Sequence, residues 1–253
     1  MSGDKPFKDQ VGLVTGSARG IGRAIAEDLA DWGANVVIVD MDQAACEQTA
    51  QEIANKYGVK GIGVACNVAK KEDASACADK VKAEFGTLNF LVNNAGVIRD
   101  NLMLRMKEEE WDMVSDVNLK GPFLMTQAFL RLLIKAEPSR VVNISSVSGL
   151  LGQVGQANYS SSKSGLLGLT KVIAREFATK NILCNAICPG FVQTDMTGSL
   201  TDDVQEQLKK MIPIGRPGQV KDISRVVRFL CSEDAGYITG NIIRVDGGTA
   251  TGI

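Results

Sequence analysis

Short β-branched runs alternate with helix-length segments along nearly the whole of this chain. The runs that predict strands lie at residues 11–15, 35–40, 61–66, 88–92, 140–144, 183–187 and 242–245, and the segments that predict helices lie near 21–32, 42–57, 71–85, 108–135, 157–179 and 219–232. Because parallel strands need a crossover connection, usually a helix, this alternation indicates βαβ units. The pattern predicts an α/β fold, a doubly wound Rossmann-type parallel sheet of about seven strands flanked by helices.

The composition bears on the domain count and disfavours several classes of function. The chain has 253 residues with no composition break and no internal repeat, so we expect a single domain over residues 1–253. The net charge of −1 favours neither a nucleic-acid partner nor an anionic membrane surface. No apolar run reaches the roughly 18 residues of a membrane span, and the first ten residues lack the apolar core of a secretory signal.

Two residue types narrow the chemistry further. The six cysteines are scattered and form no C-x-x-C pair, so we expect buried thiols in a reducing cytoplasm and no metal site. The chain contains no histidine, which excludes a Ser-His-Asp triad, His-ligated zinc and a histidine general base. Acid/base catalysis would therefore fall to tyrosine, lysine, aspartate, glutamate or cysteine.

A glycine-rich turn, TGSARGIG, links the first predicted strand to the first predicted helix. Gly16 would allow a tight turn, Gly20 would let the backbone approach a pyrophosphate, and Gly22 would permit close helix packing. The N-terminus of the following helix would offer free N–H groups and its positive dipole end to the phosphates. The spacing is G-x-x-x-G-x-G instead of G-x-G-x-x-G, so a glycine turn without a ligand is the alternative on this motif alone.

Asp40 ends the second predicted strand, eighteen residues after Gly22. An acidic residue at about this distance accepts hydrogen bonds from the adenosine ribose and repels a 2′-phosphate. Arg19, inside the glycine turn, would instead pair with that phosphate. Because Met41 and Asp42 follow and no basic residue adjoins Asp40, we expect NAD(H) to be favoured, with NADP(H) possible. A helix N-cap is the structural alternative for Asp40.

Tyr159 and Lys163 lie four residues apart in a segment predicted to be helical, so they share a helix face. A neighbouring ammonium favours the phenolate, so we expect Lys163 to lower the pKa of Tyr159 from about 10 toward neutral pH, where acid/base catalysis is most effective. Ser146 follows the fifth predicted strand, where its hydroxyl would donate to a substrate carbonyl or serve only as a loop serine. Asn94-Ala95-Gly96 follows the fourth, either beside a cofactor or as an ordinary turn.

The segment at residues 189–217 departs from the strand-helix rhythm. It carries prolines and glycines at both ends and an amphipathic patch at residues 202–211. Long insertions after the carboxyl end of a strand are commonly functional, and ligands of such sheets bind at that edge. We therefore expect a substrate lid near residues 190–217, with a plain surface loop as the alternative.

Together these motifs resemble the short-chain dehydrogenase/reductase family over residues 11–248. The resemblance rests on TGSARGIG, NNAG, Asn118, Ser146, Tyr159-x-x-x-Lys163 and Pro189-Gly190. Within the family, the chain is most similar to bacterial-type 3-oxoacyl-(acyl-carrier-protein) reductases, through residues 99–106, 155–159, 237–240 and 245–248. The resemblance implies an NAD(P)(H)-dependent oxidoreductase of fatty acid biosynthesis that transfers a hydride between the cofactor and the 3-oxo or 3-hydroxy group of an acyl thioester.

The resemblance also implies residue roles and a homotetramer. Tyr159 would be the general acid in reduction, Lys163 would bind the nicotinamide ribose, and Ser146 would polarise the ketone. Asn118 would sit in a bent helix and hold a water that links Lys163 to solvent. The implied cofactor contacts are Gly16, Ser17, Arg19, Gly20, Ile21, Gly22, Asp40, Asn67, Val68, Asn94, Ala95, Gly96, Tyr159, Lys163, Pro189, Gly190, Val192 and Thr194.

The substrate carrier and the class of function keep alternatives. An acyl carrier protein is the partner that the resemblance implies, but residues 135–139, KAEPS, offer few basic side chains to steer an acidic protein. Acetoacetyl-CoA or another secondary alcohol or ketone is therefore the alternative substrate. A non-catalytic cofactor-binding scaffold is the alternative from another class, and it would have no need of Asn118, Ser146, Tyr159 and Lys163 together.

Overall fold

The computed structural model describes residues 5–193 and 211–252. The strands are β1 Val11–Thr15, β2 Asn35–Asp40, β3 Gly61–Ala65, β4 Phe90–Asn93, β5 Ser139–Ile144, β6 Ile182–Pro189, β7 Val192–Gln193, β8 Gly218–Gln219 and β9 Ile242–Val245. The α-helices are α1 Gly20–Asp31, α2 Gln43–Tyr57, α3 Lys71–Phe85, α4 Glu108–Ser115, α5 Gly121–Ala136, α6 Ser148–Leu151, α7 Ala157–Phe177 and α8 Val220–Cys231. A π-helical segment, Asp116–Lys120, joins α4 to α5.

Seven of the strands form one parallel sheet in the order β3-β2-β1-β4-β5-β6-β9. The order reverses between β1 and β4, and ligands of such sheets bind outside the carboxyl ends of the strands at this switch point. The prediction of a doubly wound parallel sheet of about seven strands is confirmed.

Helices cover both faces of the sheet. One face packs against α1, α2 and α8, and the other packs against α3, α5 and α7. Residues 36–39 of β2 are accordingly buried as one continuous apolar run, as expected for a parallel strand that is covered on both sides. No helix within the described ranges is long and apolar enough to cross a membrane.

The ends of α2 and α3 have specific capping residues. The Asp42 carboxylate accepts hydrogen bonds from the N–H groups of Ala44 and Ala45 at 2.9 and 3.2 Å and so caps the N-terminus of α2. Gly58 and Gly86 end α2 and α3 in the left-handed conformation, with φ of 68° and 72°. The capping role considered for Asp40 therefore belongs to Asp42.

The structure differs from the sequence prediction in a few elements. The predicted helix at 108–135 is two α-helices separated by the π-helical segment, which adds a residue to one turn and leaves the apolar spacing almost unchanged. The strand predicted at 88–92 is β4, Phe90–Asn93. The short elements α6, β7 and β8 have four, two and two residues, too few to show a periodicity. Of the predicted lid, residues 194–210 lie outside the described residues.

Candidate active site

The carboxyl ends of β1, β4, β5 and β6 bring distant motifs to one edge of the sheet. Gly16 directly follows β1, Asn94 follows β4, Ser146 lies two residues after β5, and Gly190 follows β6. Because these four strands are consecutive neighbours in the sheet, the predicted glycine turn and the predicted catalytic residues lie on adjacent loops.

The glycine turn has the backbone geometry that its sequence predicts. Gly16 and Gly20 adopt left-handed φ angles of 63° and 60°, which favour glycine. A Cβ built on Gly22 would lie 2.2 Å from the Gly16 carbonyl oxygen, so α1 packs directly against the turn. The side-chain amide of Asn94 donates to the carbonyl oxygens of Thr15 and Gly16 at 2.9 and 3.0 Å and thereby fixes the turn to the end of β4.

Thr15 ties the same segments together, and the sequence interpretation did not identify it. Its Oγ1 is buried and accepts hydrogen bonds from the N–H groups of Asn94 and Ala95, both at 3.0 Å. Ser17, a predicted cofactor contact, binds the next strand through its Oγ, which accepts from the N–H of Val39 at 3.1 Å. A threonine at a strand end gives no local signal of this role, because its partners lie 79 and 80 residues away.

The N-terminus of α1 fits a diphosphate group. Arg19, the N-cap residue, makes no side-chain capping bond, so it leaves the first-turn N–H groups of the helix uncapped. A Cβ built on Gly20 would meet no atom within 4 Å, so the space there is open. Free N–H groups and a positive dipole end bind anions. Gly20, Ile21 and Gly22 are therefore the residues that would hold the diphosphate of a dinucleotide.

Asp40 faces the glycine turn from the end of β2. Its Oδ2 accepts from the Ala18 N–H at 3.2 Å, and its Oδ1 accepts from the Met41 N–H at 2.9 Å. Each carboxylate oxygen can accept a second hydrogen bond, which leaves capacity for ribose hydroxyls. Arg19 is exposed and has no ion-pair partner among residues 5–193 and 211–252.

Asn67 and Val68 lie at the end of β3, next to Asp40. The N–H of Cys66 donates to the Asp40 carbonyl at 2.8 Å, which joins the two strand ends. Asn67 Oδ1 accepts from the Ala69 N–H at 3.0 Å and holds the loop in a turn. Val68 is 6% exposed, and its side chain packs against Gly121, where an added Cβ would lie 2.9 Å from Val68 Cγ2.

Tyr159 and Lys163 share one face of α7, with Ser146 nearby. The Lys163 Nζ lies 5.7 Å from the centroid of the Tyr159 ring and donates to the Ile144 carbonyl at 2.8 Å. The Ser146 Oγ accepts from the Ser148 N–H at 3.1 Å and also interacts with the Tyr159 phenol. Lys163 is 4% exposed, so its ammonium group is almost completely shielded from solvent where it lies beside the phenol, at the end of β5.

The pKa values of this pair differ from the sequence prediction. Burial raises the pKa of Tyr159, its contact with the Ser146 hydroxyl lowers it in part, and the Asp100 carboxylate raises it further. Burial lowers the pKa of Lys163 to about 8. The pKa of Tyr159 therefore shifts in the direction opposite to the sequence prediction, because burial disfavours the phenolate and Lys163 is not among the groups that shift this pKa.

Asn118 is completely buried in the π-helical segment. Its side chain pairs with the backbone of Val97: Oδ1 accepts from the N–H at 2.8 Å, and Nδ2 donates to the carbonyl at 2.9 Å. A Cβ built on Gly96 would lie 3.3 Å from Asn118 Oδ1 and 3.5 Å from Lys163 Nζ. Asn118, Gly96 and Lys163 therefore meet at one point of the site.

The carboxyl end of β6 packs closely against the C-terminal segment. The Gly190 N–H donates to the Val245 carbonyl at 3.1 Å, and a Cβ on Gly190 would lie 2.8 Å from the Cα of Asp246. The Pro189 carbonyl accepts from the N–H of Val147 at 3.0 Å, so β6 also supports the loop that carries the serine of the site.

The remaining predictions for the site concern Val192, Thr194 and metals. Val192 is 8% exposed in β7, where it pairs with Gly218. Thr194 lies outside the described residues.

All six cysteines are free and buried. In residues 5–193 and 211–252, no group of three or more histidine, cysteine, aspartate or glutamate side chains is arranged to hold a metal ion.

The assembled groups can deliver a proton to an oxygen that gains negative charge. A phenol with a raised pKa keeps its proton at neutral pH and can donate it in the transition state. The Ser146 hydroxyl can donate a hydrogen bond to the same oxygen. The Lys163 ammonium, with a pKa of about 8, is mostly charged at pH 7 and would stabilise the phenolate that remains.

Comparison with known proteins finds close relatives over nearly the whole chain. A family model described as enoyl-(acyl carrier protein) reductase matches residues 16–250. The chain is 49% identical over 242 residues to the 3-oxoacyl-(acyl-carrier-protein) reductase FabG of Aquifex aeolicus (strain VF5) and 43% identical to that of Escherichia coli (strain K12), in both cases over 96% of this chain and 98% of the relative. A crystal structure of a Sinorhizobium meliloti 1021 protein, assigned to the short-chain alcohol dehydrogenases, matches with a TM-score of 0.93 and 36% identity over 99% of this chain and 100% of that one.

Proposed function

Because this chain belongs to the short-chain dehydrogenase/reductase family and is an NAD(P)-dependent oxidoreductase, we propose that it reduces the 3-oxo group of an acyl thioester to a 3-hydroxy group. The observation that carries the proposal is the meeting of Asn118, Ser146, Tyr159 and Lys163 beside an open glycine turn. Relatives whose name specifies this reaction cover nearly the whole chain.

The residues of the site divide the reduction among them. A bound dihydronicotinamide supplies the hydride. Ser146 donates a hydrogen bond to the carbonyl oxygen, and Tyr159 gives that oxygen its proton as negative charge develops there. Lys163 stabilises the resulting phenolate, and Asn118 holds the Gly96-Val97 backbone against Lys163. In the oxidative direction the same tyrosine would accept the proton.

Exposed apolar side chains on the loop after β4, at the end of α6 and on the loop after α6 support an acyl substrate. They are Leu102, Met103, Leu104, Leu151 and Val154, with exposed fractions from 51% to 97%. The loops are joined by a hydrogen bond from the Asn101 N–H to the Gly155 carbonyl at 2.9 Å, four residues before Tyr159. Apolar side chains clustered on a surface commonly mark a binding site, and an acyl chain has the chemistry to cover them.

We propose an acyl carrier protein as the physiological carrier of the thioester. The names of the relatives specify that carrier. In this chain, Lys135 is the basic residue of segment 135–139, and its Nζ donates to the Gly86 carbonyl at 3.1 Å. Because free basic side chains steer an acidic partner, we expect only a modest preference for the carrier protein over the CoA thioester.

We propose NADH as the preferred cofactor. The Asp40 carboxylate lies beside the glycine turn, where it has capacity for ribose hydroxyls and would face the 2′-phosphate of NADPH. The exposed Arg19 would offset part of that repulsion by pairing with the phosphate. Asp40 therefore favours NADH and Arg19 favours NADPH. We give Asp40 more weight because two hydrogen bonds hold its carboxylate in place.

We also propose a cytoplasmic homotetramer. The six free, buried thiols fit a reducing compartment. Helices α4, α5 and α7 expose the apolar side chains Trp111, Met113, Phe123 and Val172 by 40% to 49%, which fits burial against other copies of the chain. Light scattering coupled to size-exclusion chromatography tests the assembly directly, and a monomer at micromolar concentration would contradict it.

The reaction is tested by following nicotinamide absorbance with acetoacetyl-CoA, the acetoacetyl thioester of an acyl carrier protein and a free ketone, each with NADH and with NADPH. We expect thioester-dependent oxidation of the cofactor. Faster turnover of the free ketone would favour a dehydrogenase for another secondary alcohol. Tight cofactor binding without turnover of any substrate would favour the non-catalytic scaffold.

A further inference from the structure

Two segments that carry the family resemblance, residues 99–106 and 155–159, are bonded to each other at the edge of the site. The Asn101 N–H donates to the Gly155 carbonyl at 2.9 Å, and Asn101 forms an isolated parallel bridge with Gln156. The side-chain amide of Gln156 donates to the Asp100 carboxylate at 2.9 Å. The loop after β4 is therefore attached to the chain just before α7.

Asn158 makes the most buried part of this connection. It is completely buried, and its Nδ2 donates to two carbonyl oxygens, that of Arg99 at 2.9 Å and that of Glu110 at 3.1 Å. Its Oδ1 accepts from the N–H of Tyr159 at 2.7 Å. Both amide protons and the amide oxygen are thus used, and they link the loop after β4, helix α4 and the backbone of Tyr159.

The position of Asn158 in the helix explains why these bonds fix the tyrosine. The first N–H groups of a helix have no partner within it, and the Tyr159 N–H lies in this first turn of α7. Glu110 of α4 also binds the loop after β4, because its Oε2 accepts hydrogen bonds from Asn101 Nδ2 at 3.2 Å and from the Lys107 N–H at 2.9 Å. Any shift of the first turn of α7 would break several of these bonds at once.

We propose that Asn158 is a positioning residue for proton transfer, which holds the Tyr159 phenol in register with Ser146 and with the loop after β4. It acts through the backbone of α7 and touches no reacting atom. The inference rests on the proposed role of Tyr159 as the proton donor. Displacement of a catalytic group by about 1 Å can cost on the order of a hundredfold in rate, so the effect should appear in the proton-transfer step.

The test is Asn158→Ala, with Asn185→Ala as the matched control. Asn185 is also a buried asparagine that joins two segments, since its Nδ2 donates to the Ile238 carbonyl at 2.7 Å and its Oδ1 accepts from the Asn241 N–H at 3.0 Å. It lies midway along β6, outside the catalytic residues. Asn158→Ala removes three buried hydrogen bonds and Asn185→Ala removes two, so both should lower the unfolding temperature, Asn158→Ala somewhat more.

For Asn158→Ala we expect kcat to fall about ten- to a hundredfold, with little change in KM for the thioester or in the NADH dissociation constant measured by fluorescence. The solvent deuterium isotope effect on kcat should rise above that of the parent protein, because proton transfer becomes slower. Amide hydrogen exchange in residues 99–106 should also become faster. Asn185→Ala should show none of these three changes below its unfolding temperature.

Gln156→Ala replaces Asn158→Ala in the test if the latter does not fold. It removes only the hydrogen bond to Asp100 near the surface, so kcat and the isotope effect should change in the same direction but less. A wild-type isotope effect in whichever variant folds would overturn the inference. Tyr159→Phe is assayed in parallel. If that variant stays active, the proposed function fails; if it is inactive while Asn158→Ala behaves like the parent, only the positioning role fails.

Discussion

Tyr159 is held between groups that act on its proton in opposite directions. Burial and the Asp100 carboxylate raise its pKa, and the Ser146 hydroxyl lowers it. Burial lowers the pKa of Lys163, one helical turn away, to about 8. At neutral pH the phenol therefore keeps its proton while the neighbouring ammonium keeps most of its charge, which is the combination that the reductive direction requires.

Tyr159→Phe should lower the rate of reduction by about 10² to 10⁴-fold, the usual contribution of a positioned acid. The change removes one hydroxyl and keeps the ring, so the unfolding temperature and the NADH dissociation constant should stay close to those of the parent. Steady-state kinetics and fluorescence titration measure the two effects separately. A loss of less than tenfold would mean that another group donates the proton.

Asp100→Asn should lower the pKa of Tyr159. The amide still accepts the hydrogen bond from Gln156 but no longer places a negative charge near the phenol, so the phenolate becomes easier to form. Because reduction uses the protonated phenol, the alkaline limb of the kcat/KM profile that belongs to Tyr159 should move to lower pH. Asp100 is exposed, so added salt should shrink the difference. An alkaline limb that moves to higher pH would contradict this assignment.

We expect Asp40 and Arg19 to set the cofactor preference. Two unit charges at 4 Å interact by about 4 kcal/mol at an effective dielectric near 20, and Arg19 and solvent offset part of this. The preference for NADH should be roughly ten- to a hundredfold in kcat/KM, or about 1.4 to 2.7 kcal/mol. Asp40→Asn should shrink it, and Arg19→Ala should enlarge it. Side-by-side assays in which the parent prefers NADPH would show that Arg19 outweighs Asp40.

Some residues of the site could be identified from the sequence, and others could not. Tyr159, Lys163 and the glycines have distinctive chemistry at short, fixed spacing. Thr15 and Asn158 are ordinary polar residues whose partners are distant in sequence, so their roles follow only from the folded structure. The direction of the Tyr159 pKa shift was missed because spacing reports a neighbouring charge and does not report burial.

At the scale of elements, the site depends on how α1 begins. The open space at Gly20 and the uncapped helix N-terminus form the predicted diphosphate position. The junction of α4 and α5 matters in a similar way, because the π-helical segment places Asn118 against Val97. The sequence predicted the first feature from its glycines. For the second, the family resemblance implied a bent helix at Asn118, but the apolar pattern did not show it, since one extra residue in a turn barely changes a helical apolar pattern.

Gly20→Ala and Gly58→Ala form a matched pair for the glycine turn. Both glycines have left-handed φ angles, 60° and 68°, and neither would bring a Cβ within 4 Å of another atom. Each substitution should therefore lower the free energy of unfolding by roughly 1–2 kcal/mol. Only Gly20→Ala should weaken NADH binding, because its methyl group enters the predicted diphosphate position. Urea unfolding and NADH titration check this, and equal NADH affinity of the two variants would place the diphosphate elsewhere.

At the scale of the whole molecule, one parallel sheet explains why residues from far apart in the chain meet. The strand-helix alternation was enough to predict this sheet, because right-handed crossovers leave few ways to connect parallel strands. Element ends were less accurate, as in β4, since end residues are fixed by tertiary contacts instead of periodicity. The pairing of β7 with β8 depends on contacts that only the complete fold provides.

In the proposed reaction, hydride passes to C3 of an acyl thioester while Tyr159 supplies the proton. The most direct measurement is mass spectrometry of the product formed from acetoacetyl-CoA and NADH that is deuterated on the transferring face of the nicotinamide ring. We expect a 3-hydroxyacyl thioester with a single deuterium at C3, formed by the parent protein and nearly absent with Tyr159→Phe. A product without deuterium, or equal product from both proteins, would contradict it.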